Sequence, residues 1–209
     1  MKLIIQIPCY NEAETLPVTL KDLPREVAGF SSVEWLVIDD GSSDGTAAVA
    51  TEAGVDHIVS FTSNRGLAGA FLAGLDAAVK LGADVIVNTD ADNQYMAADI
   101  PALVAPILAG KADVVIGARP IDNISSFSPI KKLLQKAGSA VVRFVSRTDI
   151  PDAPSGFRAM TREAAMRFNV FNDYTYTLET IIQAGQKGIA ITSVPIRVNG
   201  VLRPSRLVK

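Results

Sequence analysis

Short continuous apolar runs alternate with stretches of helical spacing along most of this chain. Leu3–Ile7, Glu34–Ile38, Ile58–Phe61, Asp84–Asn88 and Val114–Gly117 read as strands. Apolar runs of this length without polar alternation predict strands covered on both faces. Between them, Glu12–Val27 (broken near Pro24), Ser43–Ala53, Leu67–Leu81 and Ile100–Leu108 carry helical patterns. Such alternation predicts βαβ units and an α/β fold: a Rossmann-like, doubly wound, mostly parallel sheet flanked by helices. Gly69 and Gly74 in the Ala-rich third helix predict close packing of that helix on the sheet.

The second half changes character. Pro129–Val145 predicts a helix with Leu133, Leu134, Ala137, Val141 and Phe144 at helical spacing and Lys131, Lys132, Lys136 and Arg143 between them. The favoured reading is a packed apolar face with a solvated basic one; the alternative is a helix lying on a membrane surface. Phe157–Met160 and Ala190–Val194 read as further strands, with a helix over Thr175–Ala184 between them. With no internal repeat, low-complexity linker or boundary, residues 1–209 are expected to form one domain.

At 209 residues with 48% hydrophobic and 20% charged side chains, the chain has the composition of a globular protein. The lone Cys9 excludes an internal disulfide and suits a reducing, cytoplasmic compartment. The lone His57 excludes a His-rich zinc site, and a structural role is expected for it. The net charge of −2 is uneven: residues 1–60 hold ten acids against three bases, whereas five cations and no acid follow Glu179. No leader peptide is visible, and no apolar stretch is long enough to span a bilayer.

In an open α/β sheet, ligands bind beyond the carboxyl ends of the strands. The chemistry-bearing residues fall there: Pro8-Cys9-Tyr10-Asn11-Glu12, Asp39-Asp40-Gly41-Ser42, Asp90-Ala91-Asp92-Asn93-Gln94 and Gly117-Ala118-Arg119. Two carboxylates spaced i, i+2 at the end of a buried strand suit a hard cation such as Mg²⁺ or Mn²⁺, which can also hold phosphate oxygens. A helix cap or solvated turn is the plainer alternative. Asp44 is expected to be only a helix-start residue. No Gly-x-x-x-x-Gly-Lys and no Gly-x-Gly-x-x-Gly follows a strand, which argues against P-loop and dinucleotide folds and leaves a metal-held diphosphate.

Those motifs, together with Ile116-Gly117-Ala118-Arg119 and Ser155-Gly156-Phe157-Arg158, stand in the order seen in family 2 glycosyltransferases of GT-A fold. Within that family the chain most resembles the dolichyl-phosphate mannosyltransferase and polyprenyl-phosphate glycosyltransferase branch. The resemblance implies that Pro8, Tyr10 and Glu12 border the base and ribose of a nucleotide sugar, with Asp40 recognising the nucleoside. It implies Asp90, Asp92 and Gln94 as the metal and diphosphate motif and Arg119 near the phosphates. Asp39, Ala91 and Arg158 fall inside the matched motifs and are grouped with the donor-binding residues. Arg203-Pro204-Ser205-Arg206 resembles a closing loop that brings Arg203, Ser205 and Arg206 over the donor, and Lys131 falls where a basic residue faces the acceptor phosphate. The family's His-Pro-Pro after the metal motif is replaced here by Tyr95-Met96-Ala97. Several members continue into C-terminal transmembrane helices, so a membrane region beyond Lys209 is an open expectation.

The implied reaction is an inverting displacement on a UDP- or GDP-sugar, with Mg²⁺ or Mn²⁺ and Arg119 or Arg203 stabilising the leaving diphosphate. A lipid-phosphate acceptor at the cytoplasmic face of a membrane needs no strong base. A hydroxyl acceptor would need one, for which Asp152 and Glu179 are the candidates. A soluble hydroxyl-directed transferase, a nucleotidyltransferase and a non-catalytic nucleotide-sugar binder remain the alternatives.

Overall fold

The computed structural model describes residues 1–121, 129–171 and 175–200, and for residues 129–132 and 136 the backbone alone. Its centre is a seven-stranded sheet of β1 (Lys2–Cys9), β2 (Ser32–Asp39), β3 (His57–Ser60), β4 (Val85–Asn88), β5 (Val114–Ala118), β6 (Arg158–Thr161) and β7 (Ile191–Pro195), in the order β3-β2-β1-β4-β6-β5-β7. All neighbours run parallel except β6, which is antiparallel to both β4 and β5. The strand order reverses about β1, the position where an open sheet leaves a crevice beyond its strand ends.

The helices are α1 (Leu16–Asp22), α2 (Thr46–Glu52), α3 (Gly66–Lys80), α4 (Ile100–Leu108), α5 (Pro129–Ser146), α6 (Arg162–Ala165) and α7 (Thr177–Gln186). They cover both faces. Leu3, Ile5 and Ile7 of β1 and Val85 and Val87 of β4 join a core with α1, α2 and α4. Ile4 and Ile86 point the other way, into a core with α3, α5, α6 and α7. Side chains alternate across a strand, so a run buried on both faces must be apolar throughout.

The predicted elements are present, with shifted ends. The first helix starts at Leu16 rather than Glu12, because Glu12–Thr15 form a turn in which the Glu12 carbonyl accepts from Thr15 and Leu16. Pro17 suits the first turn, and Pro24 follows the end. The second helix starts at Thr46 rather than Ser43, after Gly45 at φ +88°. The four-residue α6 was not expected. His57 is structural, bonded to Glu34 at 2.7 Å.

The small residues of α3 do different jobs. A Cβ on Gly74 would meet Gln6 Oε1 at 2.5 Å and Ile38 Cδ1 at 2.8 Å, so it is the contact point with the sheet. Gly69 faces only Arg65 of its own helix, which corrects the expectation that both glycines touch the sheet.

The face of α5 is inverted relative to expectation. Leu133, Leu134, Val141 and Phe144 are exposed, whereas Ser139, Val142 and Ser146 are buried. The reason is close approach. Ser139 Oγ accepts from the Ala153 amide, and a Cβ on Gly185 of α7 would overlap the Ser146 carbonyl at 1.8 Å. Only small side chains fit between backbones at that distance.

Gly74→Ala should therefore lower stability by about 1–3 kcal/mol through overpacking, while Gly69→Ala should be neutral or stabilising by up to about 1 kcal/mol. Urea midpoints of the two variants measure the contrast.

Candidate active site at the strand ends

The loops after β1 and β2 are tied into one wall of the crevice. The Asn11 amide donates to Ser42 Oγ, and Asn11 Oδ1 accepts from the Ser43 amide. Asp44 accepts from the amides of Ala13 and Thr46, and Thr46 Oγ1 accepts from the Glu12 amide. Asp44, the residue before the cap Gly45, thus accepts from the first amide of α2 rather than capping the helix itself, and also joins the loops. Pro8 lies buried within β1, Tyr10 is exposed just past its end, and Glu12 is buried with its carboxylate accepting from Thr15.

The two aspartates after β2 differ. Asp40 accepts from the Asn64 side chain and from the amides of Arg65 and Gly66, so it organises the entry to α3. Asp39 accepts from the Ser42 amide. Asp40 is thus committed to the loop it organises, and Asp39 lies beside it, buried at the end of β2.

Asp90 and Asp92 follow β4 into the centre of the crevice. The Asp90 carboxyl is pushed up to about 7, first by burial and then by the charge of Asp92, against the pull of Arg119 and Arg158. No hydrogen-bond donor among the described residues is seated on the Asp90 carboxylate. Asp92 Oδ1 accepts from the Gln94 amide, and the buried Ala91 offers its carbonyl to Thr19 Oγ1. Among the described residues there is no cluster of three or more His, Cys, Asp or Glu that could hold a cation. The protein thus offers the buried Asp90 carboxyl, on which no described donor is seated, with the charge of Asp92 close beside it. That fits Mg²⁺ or Mn²⁺, which is commonly bound by one or two carboxylates with substrate phosphates and water completing the shell.

Behind Asp90 lies a polar frame that the sequence did not reveal. A Cβ on Gly156 would stand 3.0 Å from Asp90 Oδ1 and 3.2 Å from the Tyr176 hydroxyl, so a side chain here would crowd the carboxylate. The Gly156 amide donates to the Tyr95 hydroxyl, and its carbonyl accepts from Asn88 Nδ2, each at 2.9 Å. Asn88 also donates to Tyr176 and accepts from Gln6. Burial and the Asp90 charge push the Tyr95 phenol up to about 12, so it stays protonated. The usable signals were polar Gln6 and Asn88 inside otherwise apolar runs and the Gly of Ser155-Gly156-Phe157-Arg158.

Arg119, at the end of β5, is seated bidentately on Asp152 at 2.7 and 2.9 Å, and its amide donates to the same carboxylate. Burial alone would lower its pKa, but the hydrogen bonds and charge of Asp152 and the field of Asp90 hold it above the ordinary value. Asp152 is therefore an anchor for Arg119, not a base open to a substrate. Arg158 is fully buried and donates to the Ser155 carbonyl and Thr180 Oγ1. It acts on Asp90 through its field; its guanidinium does not reach the crevice surface, contrary to its grouping with donor-binding residues. Glu179, on α7, accepts from the amide of Phe171. Arg203, Ser205 and Arg206 lie outside the described residues, as does the side chain of Lys131.

The last described segment is bound to the loop after β4. Asn199 donates from its amide to the Gln94 carbonyl and from its side chain to the Asn93 carbonyl. Val198 bridges Tyr95, and Arg197 is paired with Asp99. Asn93 sits in the left-handed region at φ +54°, a conformation Asn tolerates better than most residues.

Comparison with known proteins shows the family and the fold. The family model Glycosyl transferase family 2 matches residues 4–168. The chain is 31% identical to polyprenol monophosphomannose synthase of Mycolicibacterium smegmatis, covering 92% of this chain and 76% of that protein. It is 32% identical to undecaprenyl-phosphate mannosyltransferase of Micrococcus luteus, covering 94% and 83%. Among solved structures, glucosyl-3-phosphoglycerate synthase from Mycobacterium tuberculosis in complex with Mn²⁺, UDP and glucosyl-3-phosphoglycerate superposes with a TM-score of 0.76 at 20% identity, over 98% of this chain and 73% of that one. A second structure of that protein, with phosphoglyceric acid, gives 0.79 at 22%. This likeness establishes the GT-A fold.

Asp90 sets the sign of one pH effect. A carboxyl that holds its proton more tightly when folded adds stability in acid, and that stability is lost as pH rises from 3.8 through about 7. Asp90→Asn should flatten this slope and, above neutrality without divalent cation, raise stability by roughly 2–4 kcal/mol. Thermal melts across pH measure both.

Proposed function

The chain belongs to glycosyl transferase family 2, and on that premise we propose that residues 1–209 are one catalytic domain of a metal-dependent, inverting glycosyltransferase. Its donor is a UDP- or GDP-sugar, and its acceptor is a polyprenyl phosphate at the cytoplasmic face of a membrane. The observation that carries the reading is the Asp90–Asp92 carboxylate pair facing the anchored guanidinium of Arg119. A lipid-phosphate acceptor is supported by the names of the two mannosyltransferase relatives. A divalent cation is supported by the Mn²⁺ and UDP in the solved neighbour.

Each residue then has a task. Asp39, Tyr10, Pro8 and Glu12 border the nucleoside, and Asp40 holds the loop on which they depend. Asp90 and Asp92 would hold the cation, with Gln94 beside them; when bound it neutralises charge developing on the leaving diphosphate. Arg119, held on Asp152, adds a fixed positive field where that charge grows. Arg203, Ser205 and Arg206 are proposed to close over the donor, and Lys131 to meet the acceptor phosphate. A phosphate acceptor is already anionic and needs orientation more than a base. The seating of Asp152 on Arg119 favours this version over a hydroxyl acceptor, since it removes one of the two candidate bases.

With a nucleotide sugar, Mn²⁺ and a polyprenyl phosphate, the protein should release nucleoside diphosphate and form lipid-linked sugar. Asp92→Asn should lower kcat/KM by about 10²-fold or more. Glu179→Gln should leave transfer within about threefold, since no base is required. Equal turnover of a polyprenol lacking phosphate, or release of pyrophosphate instead, would sink the proposal.

A further inference from the structure

Helix α5 is built the wrong way round for a helix that ends its life in water. Its buried stripe is small and partly polar: Ser139, Val142 and Ser146. Its outer surface carries Leu133 and Leu134, with Val141 63% and Phe144 87% exposed, and Val145 beside them. Scattered exposed apolar residues are ordinary, but five large ones on one 18-residue helix are not. Charge adds a second observation. The sequence of the helix contains Lys131, Lys132, Lys136 and Arg143 and no acid, and Arg143 lies 4.0 Å from Asp149. Large apolar side chains with interspersed cations are the composition of a helix lying in a lipid interface.

Resting on the lipid-acceptor reading above, we propose that the exposed face of α5 is the surface by which this protein docks on an anionic bilayer. A second copy of the chain fits the same face poorly. A two-fold contact would bring α5 against itself and place its cations together with no acids of the helix to answer them. The position of α5 also favours a membrane. Ser139 Oγ accepts from the Ala153 amide at 3.2 Å, and the residue before Ala153 is Asp152, which holds Arg119. The inner face of α5 is therefore joined by one hydrogen bond and one peptide to the anchor of the arginine proposed to act at the phosphates. Among the described residues no helix is long and apolar enough to cross a membrane, so contact by this domain would be lateral.

The test uses vesicles of phosphatidylcholine with and without phosphatidylglycerol, neither containing acceptor lipid, so its outcome does not depend on the transfer reaction. The protein should co-sediment with the phosphatidylglycerol vesicles and less so at high salt. Combined Val141→Ser and Phe144→Ser substitutions should reduce the bound fraction about tenfold. Because both side chains are exposed, the thermal melt and nucleotide-sugar binding should be unchanged, and turnover of a short-chain, water-soluble acceptor phosphate should be retained. Failure of the parent protein to bind anionic vesicles, or equal binding by the variant, would overturn the proposal. So would a parent dimer in sedimentation velocity that the substitutions dissolve. Vesicle binding without sugar transfer would support this surface while counting against the transferase reading.

Discussion

Two like charges held together at the end of a buried strand are the constraint on which this molecule turns. Asp90 and Asp92 leave β4 where the sheet order reverses, and burial plus mutual repulsion raise the Asp90 carboxyl to about 7. Such a pair is tolerable only with countercharge nearby, and the fold supplies it from two directions: Arg119 from β5 and Arg158 from β6. Those cations are in turn fixed, Arg119 on Asp152 and Arg158 on backbone and Thr180.

The antiparallel β6 makes this arrangement possible. By running between β4 and β5 against their direction, it starts where they end, so the peptide of Gly156 arrives beside Asp90. Tyr95 and Asn88 hold that peptide from both sides, and the stacked pair Tyr95–Phe157 closes the space behind it. The C-terminal segment completes the frame by bonding to the Asn93 and Gln94 carbonyls. The carboxylate loop is thus gripped by elements far apart in sequence. That suits a site whose chemistry depends on fixed charges rather than on mobile ones.

Much of this was legible in the chain. The strands announced themselves because a strand covered on both faces has no polar side to hide, as in Leu3–Ile7 and Val85–Val87. The carboxylates announced themselves because charge at the end of such a run has few structural uses. Partners were harder to read. Asp39 and Asp40 are adjacent and chemically identical, and only the arrival of residues 64–66 shows that Asp40 serves the loop. Asp152 read as a possible base until Arg119, 33 residues away, proved to be seated on it.

Helix α5 marks the same boundary. Periodicity establishes that Leu133, Leu134, Val141 and Phe144 share a face; it carries no information on which way that face points. The direction was decided by how closely Gly185 and Ala153 approach Ser146 and Ser139, a matter of backbone distance between segments remote in the chain. The sequence by itself determined the element types, the sheet class and the chemistry at each strand end, because these follow from local period and residue type. Tertiary structure alone decided which carboxylate is open, which arginine is spoken for and which face of α5 meets the surroundings. Those are properties of pairs, and pairing is settled only when the chain closes on itself.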